Sequence, residues 1–296
     1  MTDEKDGGAR ADAGAPGNGA GVQTTPDGDT WPAGMKIVRP HLARSIRAQG
    51  MIQEPNTYGY LHLAGEVEGM NPLRKPSPEK RALLDRLKEL ARALMEAERG
   101  AVRRADVFRG LFTPTGHNPG LTLIREGGYD VHVAKFDVVV LVECESHEEA
   151  VRVRETDAFK ALRAELEKAA SYVHCFAALN AKRIAEVDKT RDGIFLFNYF
   201  FAADIEAKGS EGVDILRAVW EYTAGWWTAK VNLTNSTLLE PLPGEPSQYS
   251  LINHCRWDRG LDVFPNLILR PSLQRFVVAN FTANDVASMP VVYRLA

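Results

Sequence analysis

The sequence predicts an α+β fold built from two ferredoxin-like halves, each running strand–helix–strand–strand–helix–strand. Three observations carry this. Stretches with helical apolar spacing and short β-branched or aromatic runs follow one another in the same order twice. The 296 residues suffice for about two domains at roughly 150 residues each. The run 194–203 (IFLFNYFFAA) is apolar on both alternating faces, as a strand covered on both sides requires. A four-stranded ferredoxin-like sheet carries helices on one face only, so two such sheets can bury their open faces against each other. The expected architecture is two tandem βαββαβ repeats closing an α+β barrel within one chain.

The elements follow in order. Residues 1–34 hold eight of the 24 glycines and little to bury, which predicts a disordered tail. Its glycines between 14 and 21 lack a preceding strand and a following Lys-Ser/Thr, so they make no phosphate loop. Residues 35–55 have no assignable pattern, and 58–67 alternate as a strand. Ser77 is placed as an N-cap with Pro78 at the first helical position. Leu83, Leu84, Leu87, Leu90, Ala91, Leu94 and Met95 then form one apolar stripe up to Gly100. A strand over 107–113 leads into a Pro/Gly-rich loop through Pro119 and Gly120, and 134–143 reads as a buried central strand. Ser146 and Glu149 have capping-box spacing ahead of a helix to about residue 170, and 172–179 reads as a strand. The polar stretch 182–193 links the halves. After 194–203 come a helix over 213–230, strands over 237–242 and 248–257, a helix over 261–279 interrupted near Pro265 and Pro271, and a strand over 286–294. The division is a tail over 1–34, a first half with its N-terminal extension over 35–181, a linker over 182–193, and a second half over 194–296.

Composition narrows the function. A net charge of −3 argues against nucleic acid held by a general basic field. No stretch of about 18 apolar residues predicts a membrane span, and no signal peptide is recognised. Cys144, Cys175 and Cys255 are too scattered for a disulfide framework or a zinc site, so no metal is expected and a reducing, cytoplasmic setting is. The acceptor-like triplets at Asn232, Asn235 and Asn280 are read as chance matches. No Gly-x-Ser-x-Gly elbow supports acyl hydrolysis.

Alternation over 248–257 puts Tyr249, Leu251, Asn253, Cys255 and Trp257 on one face and Ser250, Ile252, His254 and Arg256 on the other. An amide between apolar neighbours on a central strand must be hydrogen-bonded or cost on the order of 1–3 kcal/mol. The segment Ile252-Asn-His-Cys-Arg-Trp257-Asp resembles the third-strand Asn-x-x-x-Trp segment of antibiotic biosynthesis monooxygenase-type domains, over roughly residues 194–296. Those are ferredoxin-like domains that pair into α+β barrels, and some are cofactor-free oxygenases of anthrone or quinol-type polyketides. The resemblance implies that Asn253 and Trp257 line a cavity between sheet and helices. The first half has Val138 to Glu143 in the corresponding place, which implies a structural role for it.

Trp220, Trp226 and Trp227 lie within eight residues, either as aromatic core or as a stacking pocket. The leading reading is a monooxygenase-like enzyme of secondary metabolism. It would oxidise an aromatic polyketide or phenolic substrate with dioxygen, without a metal. In it Asn253 and Asn198 donate hydrogen bonds to a substrate oxyanion and Trp257 stacks on the ring, while Tyr249, Trp220, Tyr222 and Trp227 bind the substrate. Tyr249 and Cys255 are the only bases available on the Asn253 face. The alternatives are a haem- or flavin-binding barrel, with His174 or His254 as the axial haem ligand, and a non-catalytic small-molecule binding accessory protein. Pairing into a homodimer is compatible with each.

Overall fold

The computed structural model describes residues 22–24, 29–45, 51–71, 75–114, 118–203, 205–260 and 270–296. Ten strands are present among them: β1 (Val22–Thr24), β2 (Thr30–Pro32), β3 (Gly59–Glu66), β4 (Val102–Phe112), β5 (Val138–Cys144), β6 (Tyr172–Ala185), β7 (Ile194–Ala202), β8 (Ser236–Pro241), β9 (Leu251–Trp257) and β10 (Val286–Leu295). The helices are α1 (Pro78–Ala97), α2 (Pro119–Glu126), α3 (His147–Arg154), α4 (Asp157–Ala169), α5 (Ile205–Val231) and α6 (Ala279–Ala283), the last preceded by a π-helical turn, Leu273–Val278.

Strands β3 to β10 close one barrel in the order β10-β4-β5-β3-β6-β8-β9-β7, with β10 returning to pair β7. The first half contributes β6-β3-β5-β4 and the second β8-β9-β7-β10. The seams are β4–β10 and β6–β8, each joining the second strand of one half to the fourth of the other. This is the tandem ferredoxin-like α+β barrel expected from the alternating pattern.

Local sequence explains the elements. Ser77 caps α1 by accepting from Lys80 N at 3.0 Å, with Pro78 at the first turn. Helix α1 buries Leu83, Leu84, Leu87, Ala91 and Leu94 against the outer face of β4 and β5, together with Phe159, Leu162 and Leu166 of α4. The single helix expected after Ser146 is two, because Thr156 accepts from Phe159 N and starts α4 anew. The loop expected at Pro119-Gly120 is the start of α2, capped by Asn118. Helix α5 begins earlier than the spacing suggests and is kinked at Gly209, whose φ of 56° is open to glycine at little cost. Strand β6 runs six residues beyond its expected end at Leu179, and Ala185 pairs with Ser236.

The disordered tail needs correction over its last part. Residues 22–24 and 30–32 form a small antiparallel sheet, and Trp31 packs edge-on against Tyr222 at 5.5 Å; just beyond the tail, Met35 is buried with the second-half core. Residues 1–21 lie outside the described residues, as does 261–269, which held the first part of the last expected helix.

The barrel interior is filled by Tyr60, Phe108, Leu141, Phe176, Phe195, Phe197, Tyr199, Ile252, Met289 and Tyr293. The alternation of β7 therefore turns Phe195, Phe197 and Tyr199 inward and leaves Leu196, Asn198 and Phe200 facing α5 and α6. No described helix is long and apolar enough to cross a membrane.

Candidate functional site

The second half encloses a cavity of about 130 Å³ between the outer face of its sheet and its helices. Leu196, Asn198 and Phe200 of β7, Asn253 and Cys255 of β9 and Ser236 of β8 form its floor. Trp220, Thr223, Ala224 and Trp227 of α5 form one wall; their spacing of three, four and seven residues puts them on one helical face. The π-helical turn adds Leu273, Gln274, Val277 and Val278. Asn118, Ser288 and Pro290 complete the rim, where Asn118 Nδ2 donates to Ser288 O at 2.8 Å.

Two amides dominate the polarity of the floor. Asn198 and Asn253 are cross-strand Cα partners, each 8% exposed. Asn253 Oδ1 accepts from Trp220 Nε1 at 3.2 Å and from Ser236 Oγ at 2.5 Å. With its oxygen held from two sides, its Nδ2 hydrogens are left for the cavity and Cys255. Asn198 Oδ1 is buried with no hydrogen-bond partner in the described structure, and its side chain lines the same cavity. With its oxygen engaged, Asn253 turns N–H donors toward an apolar cavity, which suits an oxyanion.

Among the described lining residues Cys255 is the one titratable side chain. Burial pushes its thiol well above the ordinary value, with the Asn253 amide opposing in part. It stays protonated and is no base near neutrality. No described group of three His, Cys, Asp or Glu residues could hold a metal ion.

Of the residues expected in the site, Asn198, Asn253, Trp220 and Trp227 come together around the cavity. Trp257 stands apart from the lining. Its Nε1 donates to Val231 O at 2.9 Å and its ring lies 6.4 Å from Trp227, so it anchors the end of α5 against β9. Tyr249 is a correction. Strand β9 starts only at Leu251, and Tyr249 turns into the barrel interior, where its hydroxyl donates to His132 O at 2.8 Å. Tyr222 leaves α5 on another side and packs on Trp31 and Phe276. Thr223 lines the cavity from the helix face it shares with Trp220 and Trp227, whereas Ser236 and the π-helical turn escape the sequence reading. Ser236 carries a signal, a small hydroxyl two residues ahead of the apolar pair Leu238-Leu239 on β8, but it sits inside an acceptor-like triplet.

His174 and His254 do not fit an axial haem role. Both lie inside the barrel rather than on the cavity side. His254 stacks on Phe197 at 4.2 Å and meets Phe108 at 5.6 Å; His174 meets Tyr249 at 4.9 Å and Phe176 at 5.2 Å. Rings occupy the space a porphyrin would need on either imidazole. Burial lowers His254 well below the ordinary value and brings His174 to about 4, so both are neutral.

The first half has no counterpart to the amide pair. The central outward positions there are Leu61 opposite Val142 and Leu63 opposite Val140, packed under α1 and α4.

No protein-family model matches the chain, and no curated protein matches it. Solved structures do. An anthrone oxidase-like protein superposes with a TM-score of 0.55 at 14% identity, over 85% of this chain and 94% of that one. A candidate monooxygenase of Fusobacterium nucleatum subsp. nucleatum gives a TM-score of 0.47 at 8% identity, over 81% and 93%. A mutant chlorite dismutase from Candidatus Nitrospira defluvii gives 0.46 at 11%, over 82% and 93%. In fold, then, this chain is a closed α+β barrel with both ferredoxin-like halves in one polypeptide, similar to the anthrone oxidase-like protein over most of its length.

Proposed function

We propose that the chain is a monooxygenase-like oxidoreductase of secondary metabolism that oxidises an aromatic polyketide or other phenolic substrate with dioxygen, without a metal. The observation that supports it most is the Asn198–Asn253 pair, two amides side by side in an apolar cavity walled by Trp220 and Trp227. Such a site favours a phenolate over the neutral phenol. The phenolate is electron-rich and reduces dioxygen by one electron; the resulting radical pair joins in a new C–O bond. The phenol's proton leaves to solvent on ionisation, the peroxide anion takes one back, and the hydroperoxide then loses water. A ring C–H and the phenol O–H are converted to a quinone, one oxygen atom stays as the new carbonyl, and the other leaves in water. The electrons come from the substrate. The protein supplies the anion's hydrogen bonds, a flat apolar wall for the ring and exclusion of bulk water. Oxygen uptake by purified protein with a panel of phenols, in the presence of a chelator, tests this. Uptake matched one-to-one by quinone supports it; binding without uptake overturns it.

A second reading is a non-catalytic binding protein for phenolic ligands. It is favoured by one observation: the described lining has no group that ionises near neutrality. Tight phenol binding with no oxygen uptake would select it.

A further inference from the structure

We infer that Ser236 and Trp220 are positioning residues that decide which end of the Asn253 amide the cavity presents. The inference rests on the oxyanion reading of that cavity and adds residues to it. Asn253 can show a ligand either donors or an acceptor, and the two ends have nearly the same shape. Only the donor end stabilises an anion; the acceptor end repels it.

The structure sets the choice from outside the cavity. Trp220 Nε1 is a donor with no acceptor capacity, and it reaches Asn253 Oδ1 at 3.2 Å. Ser236 Oγ reaches the same oxygen at 2.5 Å from β8, where Ser236 is the Cα partner of Cys255 and fully buried. Reversing the amide would set two N–H groups against each other and strip Ser236 of its acceptor in a place water does not reach. A buried polar group left unpaired is costly, so both donors hold the amide one way. In the first half the matching strands β4 and β5 meet through Ala105, Val107, Val140 and Val142, and nothing there needs orienting. Trp220 thereby has a second use beyond its ring: its N–H is spent on Asn253 and not on the ligand.

The test is spectrophotometric titration of 4-nitrophenol bound to the full-length protein, since the phenolate absorbs in the visible and the phenol does not. The pH of half-ionisation in the bound state gives the preference for phenolate over phenol. Wild type is expected to lower that pH relative to free nitrophenol, and Asn253→Ala to lose a large part of the lowering. Ser236→Ala and Trp220→Phe should each cut the phenolate preference by about three- to tenfold, the loss of one hydrogen bond, and the double variant should remove or reverse it. Unfolding curves identify any variant that has lost its fold, and Ser236→Ala, a small change, keeps the test open if Trp220→Phe does not fold. If Asn253→Ala weakens the preference but Ser236→Ala and the double variant retain it in full, the positioning role is wrong and the oxyanion site stands. A shift in unfolding midpoint with an unchanged preference contradicts the role equally. If wild type shows no preference, or Asn253→Ala keeps it undiminished, the oxyanion reading itself falls.

Discussion

Asn198 and Asn253 are direct cross-strand partners on β7 and β9, each 8% exposed, on the helix-covered side of the barrel wall. Two amides facing each other within an aromatic core contribute nothing to apolar burial there. Their counterparts in the first half are leucine and valine, the residues the same packing problem selects when no ligand is involved. In the function proposed above, the pair makes the second half the working half of the barrel.

Removing either donor should reduce turnover far more than stability. Asn253→Ala is expected to lower kcat for phenol oxidation by about 10²–10³, the usual cost of one oxyanion donor, and Asn198→Ala by a similar factor. Initial rates of oxygen uptake, beside urea unfolding midpoints, check this.

The pH profile should belong to the substrate. Cys255 is held protonated by burial, and the other described lining residues carry no ionisable group. The rate should rise with pH and level off at the phenol's own ionisation, displaced downward by the two amides. Two phenols of different acidity should give two midpoints. A single midpoint common to both would show a protein base.

Trp257 should prove structural. It is buried and tied to Val231 O, away from the cavity lining. Trp257→Ala is expected to cost about 3–5 kcal/mol of stability, while Trp257→Phe should retain most of the phenol affinity. Denaturant midpoints and ligand titration separate the two effects.

The barrel histidines make the fold sensitive to acid. Burial holds His62 and His254 well below the ordinary value and His174 at about 4, where the charge of His132 adds to the burial. Each folded value lies below the unfolded one. The neutral rings are therefore fully compatible with the fold above pH near 6.5, and stability is lost as pH falls from there through the folded values. For His174 the loss amounts to about 3 kcal/mol between pH 6.5 and 4. Urea midpoints at pH 7.5 and 4.5 measure the total, and His174→Phe should flatten the dependence.

Much of this was legible in the sequence because strand alternation is strict wherever both faces are buried. The run 194–202 assigned Asn198 to one face and Tyr199 to the other, and β9 did the same for Asn253 and His254. Alternation failed at Tyr249, because Ser247 Oγ both donates to Tyr249 O at 2.8 Å and accepts from Tyr249 N at 3.1 Å. That turn re-aims the side chain before the strand begins. Tyr222 follows Trp220 by two residues, which on a helix points it elsewhere. Helix α2 was hidden because Pro119-Gly120 reads as a loop unless Asn118 is taken as its cap. The role of Ser236 depends on which side chain lies across the strand pair, and spacing along one strand carries no such information.

The most direct test of the account is oxygen uptake with a phenolic substrate by wild type and Asn253→Ala, at equal folded concentration and with chelator present. The account predicts uptake by wild type, one oxygen per quinone, and at least a hundredfold less by the variant. Uptake that is equal in the two proteins, or absent from wild type that binds the phenol, would contradict it.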